Sequence, residues 1–261
     1  MRDVQSGPSD VALAIDKVGV TNFRIPLLVR EKSRGRQHTI AQVDINVDLP
    51  ARFKGTHMSR FIELLNQWSG VLDYSSLKSL LIDVREKLKA RRSHLKFRFP
   101  YFMEQVSPVS GSSALMDFNC FLSGEMEHDS LTLTVGVDVP VMTVCPCSLA
   151  ICKEGAHSQR AIVRIQAQFE GLLWLEDLIE IGKKSASSPV YALLKRQDEK
   201  FVTEDAFSQP FFVEDVVRNA AKSLLDHDLV QWFRVEVESF ESIHNHNAYA
   251  CIEKDKSGSI V

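Results

Sequence analysis

The chain has few cysteines, no long unbroken apolar run and no excess of charge of one sign, and each shortage removes a class of protein. Its five cysteines, Cys120, Cys145, Cys147, Cys152 and Cys251, form an odd, unevenly spread set in 261 residues. That argues against a disulfide framework and for reduced thiols in a cytoplasm. The apolar stretch 135–144 is broken by Asp138 and Pro140, and the first residues, Asp3 among them, lack the apolar core of a secretory signal. Neither membrane spanning nor secretion is expected. A formal net charge of −3 gives no nucleic-acid footprint, so positive contacts to any anionic substrate must be local. No low-complexity segment occurs, only a loose arm at 1–20 and a polar tail beginning near Lys254. With 44% hydrophobic residues, a chain this long can bury roughly three quarters of its unfolded surface in one large domain or two ordinary ones.

What is present is concentrated in two places. Cys145-Pro146-Cys147-Ser148, followed by Gly155-Ala156-His157-Ser158-Gln159-Arg160, crowds two thiols, an imidazole and a guanidinium together. Glu241-Ser242-Ile243-His244-Asn245-His246 lies near the other end. A thiolate and imidazoles suit a divalent transition metal such as zinc or iron, and unligated histidines beside it can move protons, so a metalloenzyme is expected. Cys145 and Cys147 are one residue apart rather than two, which does not fit a structural four-cysteine site. Residues two apart share a face of a strand, so His244 and His246 project together if their segment is extended. Taken singly, each piece has a plainer reading: an inert cysteine pair around a proline turn, and a half-exposed strand face.

Hydrophobic period gives an order of elements that repeats. Residues 22–29 read as a strand, and Ala41, Val43, Ile45, Val47 and Leu49 alternate with polar residues as a half-buried strand. Segments 58–68 and 76–88 carry helical spacing, as in Phe61, Leu64, Leu65 and Trp68. Strand period returns at Leu95, Phe97 and Phe99 and again over 115–126, beyond the turn-rich Ser107-Pro108-Val109-Ser110-Gly111. The second half repeats this: strands over 131–139 and 161–169, helices over 174–181 and 213–225 with a shorter apolar turn at 191–194, then strands over 229–237 and 247–253. Both histidines of the pair fall at the start of a strand. The expectation is an α+β chain with two like modules, 21–127 and 128–254, each an antiparallel sheet with helices on one face, flanked by the arm 1–20 and the tail 255–261.

The residue blocks together resemble GTP cyclohydrolase of type IB, the prokaryotic form of the enzyme that starts pterin and folate synthesis. They are Asp3-Val4-Gln5, Gly55-Thr56-His57-Met58-Ser59-Arg60, Pro108-Val109-Ser110-Gly111, Cys145-Pro146-Cys147-Ser148, Gly155-Ala156-His157, Leu193-Leu194-Lys195-Arg196, Asp198-Glu199-Lys200, Phe212-Val213-Glu214-Asp215 and Phe240 to His246. The resemblance runs almost end to end. It implies a tunnelling fold of two modules per chain, assembled as a homotetramer with active sites at subunit interfaces. It implies a reaction in which GTP and water become 7,8-dihydroneopterin triphosphate and formate. By resemblance Cys145, His157 and Glu199 are metal ligands, with His244 a fourth in at least some states and His246 placed for acid or base work. Manganese, iron(II) and zinc all remain open for such a donor set.

Glu214 is the candidate guanine anchor, because a carboxylate accepts two hydrogen bonds from the donor edge of the base. The same residue also reads as a first-turn acid complementing a helix dipole. Glu241 is a candidate partner orienting His244 or His246, or else a strand surface residue. The triphosphate needs cations, and His57, Arg60, Arg160, Lys195, Arg196 and Lys200 are the candidates, alternatively part of a solvated face. Cys147 is a candidate acid or redox-sensitive neighbour of the metal, or a thiol facing away. Gln197, Ser158, Leu149 and Cys152 depart from the family's usual text without removing a ligand. Three rival readings remain: an NADPH-dependent nitrile reductase of the queuosine pathway on the same fold, a noncatalytic metal-binding protein, and a cyclohydrolase of the archaeal type releasing a cyclic phosphate. Neither nucleic acid nor a membrane is an expected partner.

Overall fold

The computed structural model describes residues 5, 7, 9–32 and 35–256. Asp3 and Val4 of the first motif block, and most of the polar tail, lie outside the described residues. The elements run β1 (Ile15–Glu31), β2 (Gly35–Leu49), α1 (Met58–Gln67), β3 (Val71–Leu72), α2 (Tyr74–Leu88), β4 (Arg92–Val106), β5 (Ser113–Glu127), β6 (Ser130–Val144), α3 (Pro146–Ile151), β7 (Ser158–Phe169), α4 (Leu175–Ser185), β8 (Ser188–Pro189), α5 (Arg196–Ser208), α6 (Val213–Leu225), β9 (Val230–Ser239) and β10 (Ala248–Asp255). Strand pairing follows the order β10-β9-β7-β6-β5-β4-β2-β1-β3, with β8 on β6. The sheet is mixed because β3 joins β1 in parallel, and the class is α+β. Two compact units form, residues 1–99 with 121–134, and residues 100–120 with 135–261. The long strands β4, β5 and β6 each contribute one end to each unit.

In the first unit, alternation in β2 puts Ala41, Val43, Ile45 and Val47 in the core at 0–1% exposure, and Val43 and Ile45 pair with Phe97 and Leu95 of β4. Helix α1 buries Phe61, Leu64 and Leu65, and α2 buries Leu77, Leu80, Leu81 and Val84. Each fully buried large side chain contributes about 1.5–3 kcal/mol. Asp73 starts α2 by accepting the Ser76 N–H at 2.8 Å. β1 extends further toward the N-terminus than the period implied, through two register shifts. Gly19 permits this, since a Cβ there would sit 2.0 Å from the Ile45 carbonyl oxygen. Residues expected in the loose arm are therefore paired, Val18 with Val47 and Val20 with Ile45.

In the second unit β7 and β9 pair antiparallel, matching Val163 to Val237 and Ile165 to Val235. Helices α4 and α6 bury Leu178, Ile179, Val216, Val217, Ala220 and Leu224. Gly182 lets α4 approach β6: a Cβ would meet Val139 Cγ2 at 2.7 Å.

Two expectations need correction here. Residues 191–194 form no helical turn, and a full helix, α5, follows at Arg196–Ser208, so this half carries three long helices rather than two. Helix α5 buries only Asp198 and Ala206, which leaves no apolar stripe to read. The histidine pair does not start a strand either, because β10 begins at Ala248 and residues 242–246 form bends. The run Ser242 to Asn247 offers no alternating apolar face to pair.

Candidate active site

Strand β6 buries Val141 and Val144 and so delivers Cys145, half-buried, to the N-cap of α3, where Pro146 supplies a preset φ in the first turn. The Cys145 Sγ accepts the Ser148 N–H at 3.4 Å. The Cys145 N–H donates to the His157 carbonyl at 3.1 Å, and Ser148 Oγ accepts the His157 N–H at 3.3 Å. Gly155, at φ +89°, turns the chain back and makes this closure possible. The thiol of Cys145 and the imidazole of His157 are thus tied through shared backbone contacts. Cys147 is exposed on α3, and Cys152, also exposed, lies 3.6 Å from Ser148 Oγ.

The His157 ring is held by a half-buried polar chain. Its Nδ1 lies 2.9 Å from Gln159 Oε1, and Gln159 Nε2 donates to Thr143 Oγ1 at 3.2 Å and to Glu241 Oε1 at 3.4 Å. Glu241 Oε1 also accepts the Ser239 hydroxyl at 2.8 Å, and its Oε2 stands 3.9 Å from His157 Nδ1. A carboxylate oxygen only accepts, so the amide nitrogen of Gln159 must face Glu241 and its oxygen must face His157. In the neutral imidazole this places the proton on Nδ1, toward Gln159 Oε1, and the lone pair on Nε2. That is the second-layer arrangement that metal-binding histidines use. Glu241 thus bonds Gln159 and stands near His157.

His244 and His246 are both exposed, and their rings stack with centroids 5.2 Å apart and planes at 21°. The edge of His244 faces His157 at 6.3 Å between centroids. The three imidazoles are neighbours although bends, not a strand, carry the pair. Glu199 is exposed in the first turn of α5. Its helix is pinned by the neighbouring Asp198, whose carboxylate accepts the N–H groups of Val109, Ser110 and Lys195 at 2.8–2.9 Å. Burial works to raise the Asp198 pKa, but the hydrogen bonds from Ser110, Lys195 and Val109 outweigh it and bring the group down to about 2. Among the described residues no three His, Cys, Asp or Glu side chains close on one point. The donor chemistry nevertheless fits a transition metal: a thiol and an imidazole on hydrogen-bonded backbone positions, the ring engaging Gln159 through Nδ1 and leaving Nε2 available.

The description "Type I GTP cyclohydrolase folE2" matches residues 1–250. The chain is 58% identical over 254 residues to GTP cyclohydrolase FolE2 of Nitratidesulfovibrio vulgaris, covering 97% of this chain and 96% of that protein. The chain belongs to the FolE2 family of GTP cyclohydrolases. The FolE2 of Desulfovibrio desulfuricans is 57% identical over 97% of this chain and 98% of its own length. The FolE2 of Thermosipho africanus is 46% identical over 98% of each. Among solved structures, uricase from Arthrobacter globiformis superposes with a TM-score of 0.53 at 10% identity, covering 97% of this chain and 98% of that one. The urate oxidase of Bacillus sp. TB-90 gives 0.54 at 9% identity, covering 92% and 100%. At such identity the likeness concerns the fold alone, the tunnelling fold of uricase.

The other candidates of this FolE2 chain lie on several elements. Glu214 is exposed in the first turn of α6, where the next residue, Asp215, accepts the Phe212 N–H at 3.2 Å. Arg160 is exposed on β7, Lys195 and Arg196 are exposed where α5 begins, and Lys200 lies 3.8 Å from Glu204. His57 precedes α1, and Arg60 reaches the Lys87 carbonyl at 3.5 Å, both in the first unit. Gln159, Ser148 and Asp198 were assigned no role from the sequence. The only signal for Gln159 is its position two residues after His157 at the start of a strand, on the same face.

Proposed function

We propose that this GTP cyclohydrolase carries out the first step of folate and pterin synthesis with a divalent transition metal held by Cys145, His157 and Glu199, His244 joining in some states. The reaction takes GTP and water to 7,8-dihydroneopterin triphosphate and formate: C8 is hydrolysed out of the imidazole ring, the ribose rearranges and a new ring closes. The observation that carries the metal reading is His157, its Nδ1 held by Gln159, itself bonded to Glu241, which leaves Nε2 as the ring nitrogen available to a metal. Manganese, iron(II) and zinc each suit sulfur, nitrogen and oxygen donors, and such an ion supplies Lewis acidity and a water of lowered pKa.

The chain's own residues supply the rest. His246, exposed and stacked on His244, has the freedom to hold and pass a proton at N7 of the base. Glu214 accepts the N1–H and 2-amino group of guanine. Arg160, Lys195, Arg196 and Lys200, with His57 and Arg60, are the cations available to the triphosphate. Cys147, exposed beside the ligand cysteine, is a second thiol for proton transfer. The order β1-β2-α1-α2-β4-β5 recurs as β6-β7-α4-α6-β9-β10, which supports two tandem modules. Among the described residues β10 pairs only with β9, and its open edge supports assembly with further copies, as a homotetramer with interface active sites. The five free cysteines suit a cytoplasmic setting.

The experiment is incubation of the protein with GTP and each metal. Formate and a product that oxidises to fluorescent neopterin are expected. Chelator should abolish turnover while the circular dichroism spectrum stays folded. GTP turnover that persists in chelator would overturn the metal reading, no formate but NADPH-dependent reduction of a nitrile would favour the nitrile reductase, and unfolding in chelator a structural metal site.

A further inference from the structure

The inward face of β4 runs Tyr101, Met103, Gln105, and its last member breaks the apolar pattern. Gln105 is only 6% exposed, yet neither its amide nitrogen nor its amide oxygen has a hydrogen-bond partner. Tyr101 on the same face has a partner in Glu176, as Ser107 has in the Leu193 carbonyl at 2.7 Å. Buried amides are normally paired, and one with both ends open points to an absent partner.

Gln105 lines a cavity of about 370 Å³ within the second unit. That volume falls in the range of roughly 300–1,000 Å³ common for small-molecule sites. Its wall combines an aromatic ring and opposite charges: Tyr191, Glu180, Lys183 and Asp205, with the buried Ser187 beside them. Glu180 and Lys183 satisfy each other at 2.6 Å, and the Ser187 hydroxyl is occupied by the N–H groups of Val144 and Phe211. The carboxamide of Gln105 is the group left wanting. One donor beside one acceptor on a planar amide is complementary to one acceptor beside one donor on a planar ligand.

We infer that this cavity is a second ligand site, distinct from the residues assigned to the reaction, and that it takes a small planar heterocycle with a lactam edge. Gln105 Oε1 accepts the ring N–H and Nε2 donates to the ring carbonyl, and the same wall holds the carboxylates of Glu180 and Asp205 as acceptors for an exocyclic amino group. Guanine and pterin rings both present that edge. Adenine, with no ring carbonyl, does not.

The test is calorimetric titration of the intact, metal-loaded protein with guanosine, neopterin and adenosine. It is run on the wild type, on Glu214→Ala to remove the proposed guanine anchor, and on Gln105→Leu and Gln105→Glu. Guanosine or neopterin should bind the Glu214→Ala protein at wild-type strength, and which of the two binds more tightly tells whether the site reads the substrate's base or the product's ring. Gln105→Leu should weaken that binding by about tenfold or more, the value of one net hydrogen bond. Gln105→Glu, nearly the same shape but without the donor, should weaken it too. Both variants should keep GTP turnover, and Gln105→Leu should melt no lower than the wild type. The inference is overturned if neither ligand binds Glu214→Ala, if adenosine binds as well, or if both Gln105 variants bind like the wild type. Loss of GTP turnover in a folded Gln105→Leu protein would place the cavity in the reaction site and also overturn it. Failure of the reaction reading itself would show separately, as no formate from the wild type.

Discussion

Replacing Gln159 with leucine removes the group that aims His157. Four contacts go: the 2.9 Å bond with His157 Nδ1, the 3.2 Å bond to Thr143, the 3.4 Å bond to Glu241 and the 3.5 Å bond from the Ser242 hydroxyl. Each is worth about 0.5–1.5 kcal/mol net. Glu241 keeps the Ser239 hydroxyl at 2.8 Å, so it is not left bare. The larger effect falls on the ring. Without an acceptor at Nδ1 the imidazole proton is free to sit on Nε2, the nitrogen that must be bare to bind a metal. Loss of such an orienting partner costs roughly 10–100-fold in metal affinity, or about 1.4–2.7 kcal/mol. The assay is a competitive titration of stripped protein with zinc or manganese against a fluorescent chelator, with circular dichroism as the folding control. Gln159→Leu should stay folded and bind more weakly by that factor. Gln159→Glu restores an acceptor for Nδ1–H but sets a second carboxylate against Glu241, so it should fall between the two. Wild-type metal affinity in Gln159→Leu would refute the reasoning.

Cys145→Ala and His157→Ala should lose bound metal and GTP turnover together, read by elemental analysis and formate release. Full turnover in either overturns its assignment. Asp198 has a folded pKa of about 2 against an ordinary 3.8. Its contribution is therefore complete above the ordinary value and is lost as pH falls from about 4 toward 2. Asp198→Asn should flatten the fall of the melting temperature across that window, and an unchanged slope would contradict the hydrogen-bond account. Gly182→Ala places a Cβ 2.7 Å from Val139 Cγ2. Overpacking of about 1–3 kcal/mol outweighs the helix-propensity gain of about 0.8–1.0 kcal/mol, so calorimetry should show a lower melting temperature.

Legibility followed burial. β2 could be read residue by residue because its alternate positions are fully buried and the rest face outward. α6 was equally plain, burying Val213, Val216, Val217, Ala220, Ala221 and Leu224 at helical spacing. α5 was invisible because it is anchored by the carboxylate of Asp198 rather than by an apolar stripe. α3, six residues long with none buried, carries no period at all. At the site, residue types suggested the chemistry proposed for Cys145 and His157 and marked Glu241 as an orienting acid, while Gln159 gave almost no signal. Gln159 and Glu241 are 82 positions apart, and a glutamine and a glutamate near strand ends ordinarily signal a solvated surface. The pairing of His244 with His246 was anticipated from strand geometry, but bends bring the two rings together.

The most direct measurement is a crystal of the zinc-loaded protein, with data collected at the zinc absorption edge. One strong anomalous peak per chain is expected, within bonding distance (about 2.0–2.3 Å for nitrogen and sulfur donors) of His157 Nε2 and Cys145 Sγ, with the Glu199 carboxylate completing the set. A peak bound through His157 Nδ1, or one lying away from Cys145, would contradict the account.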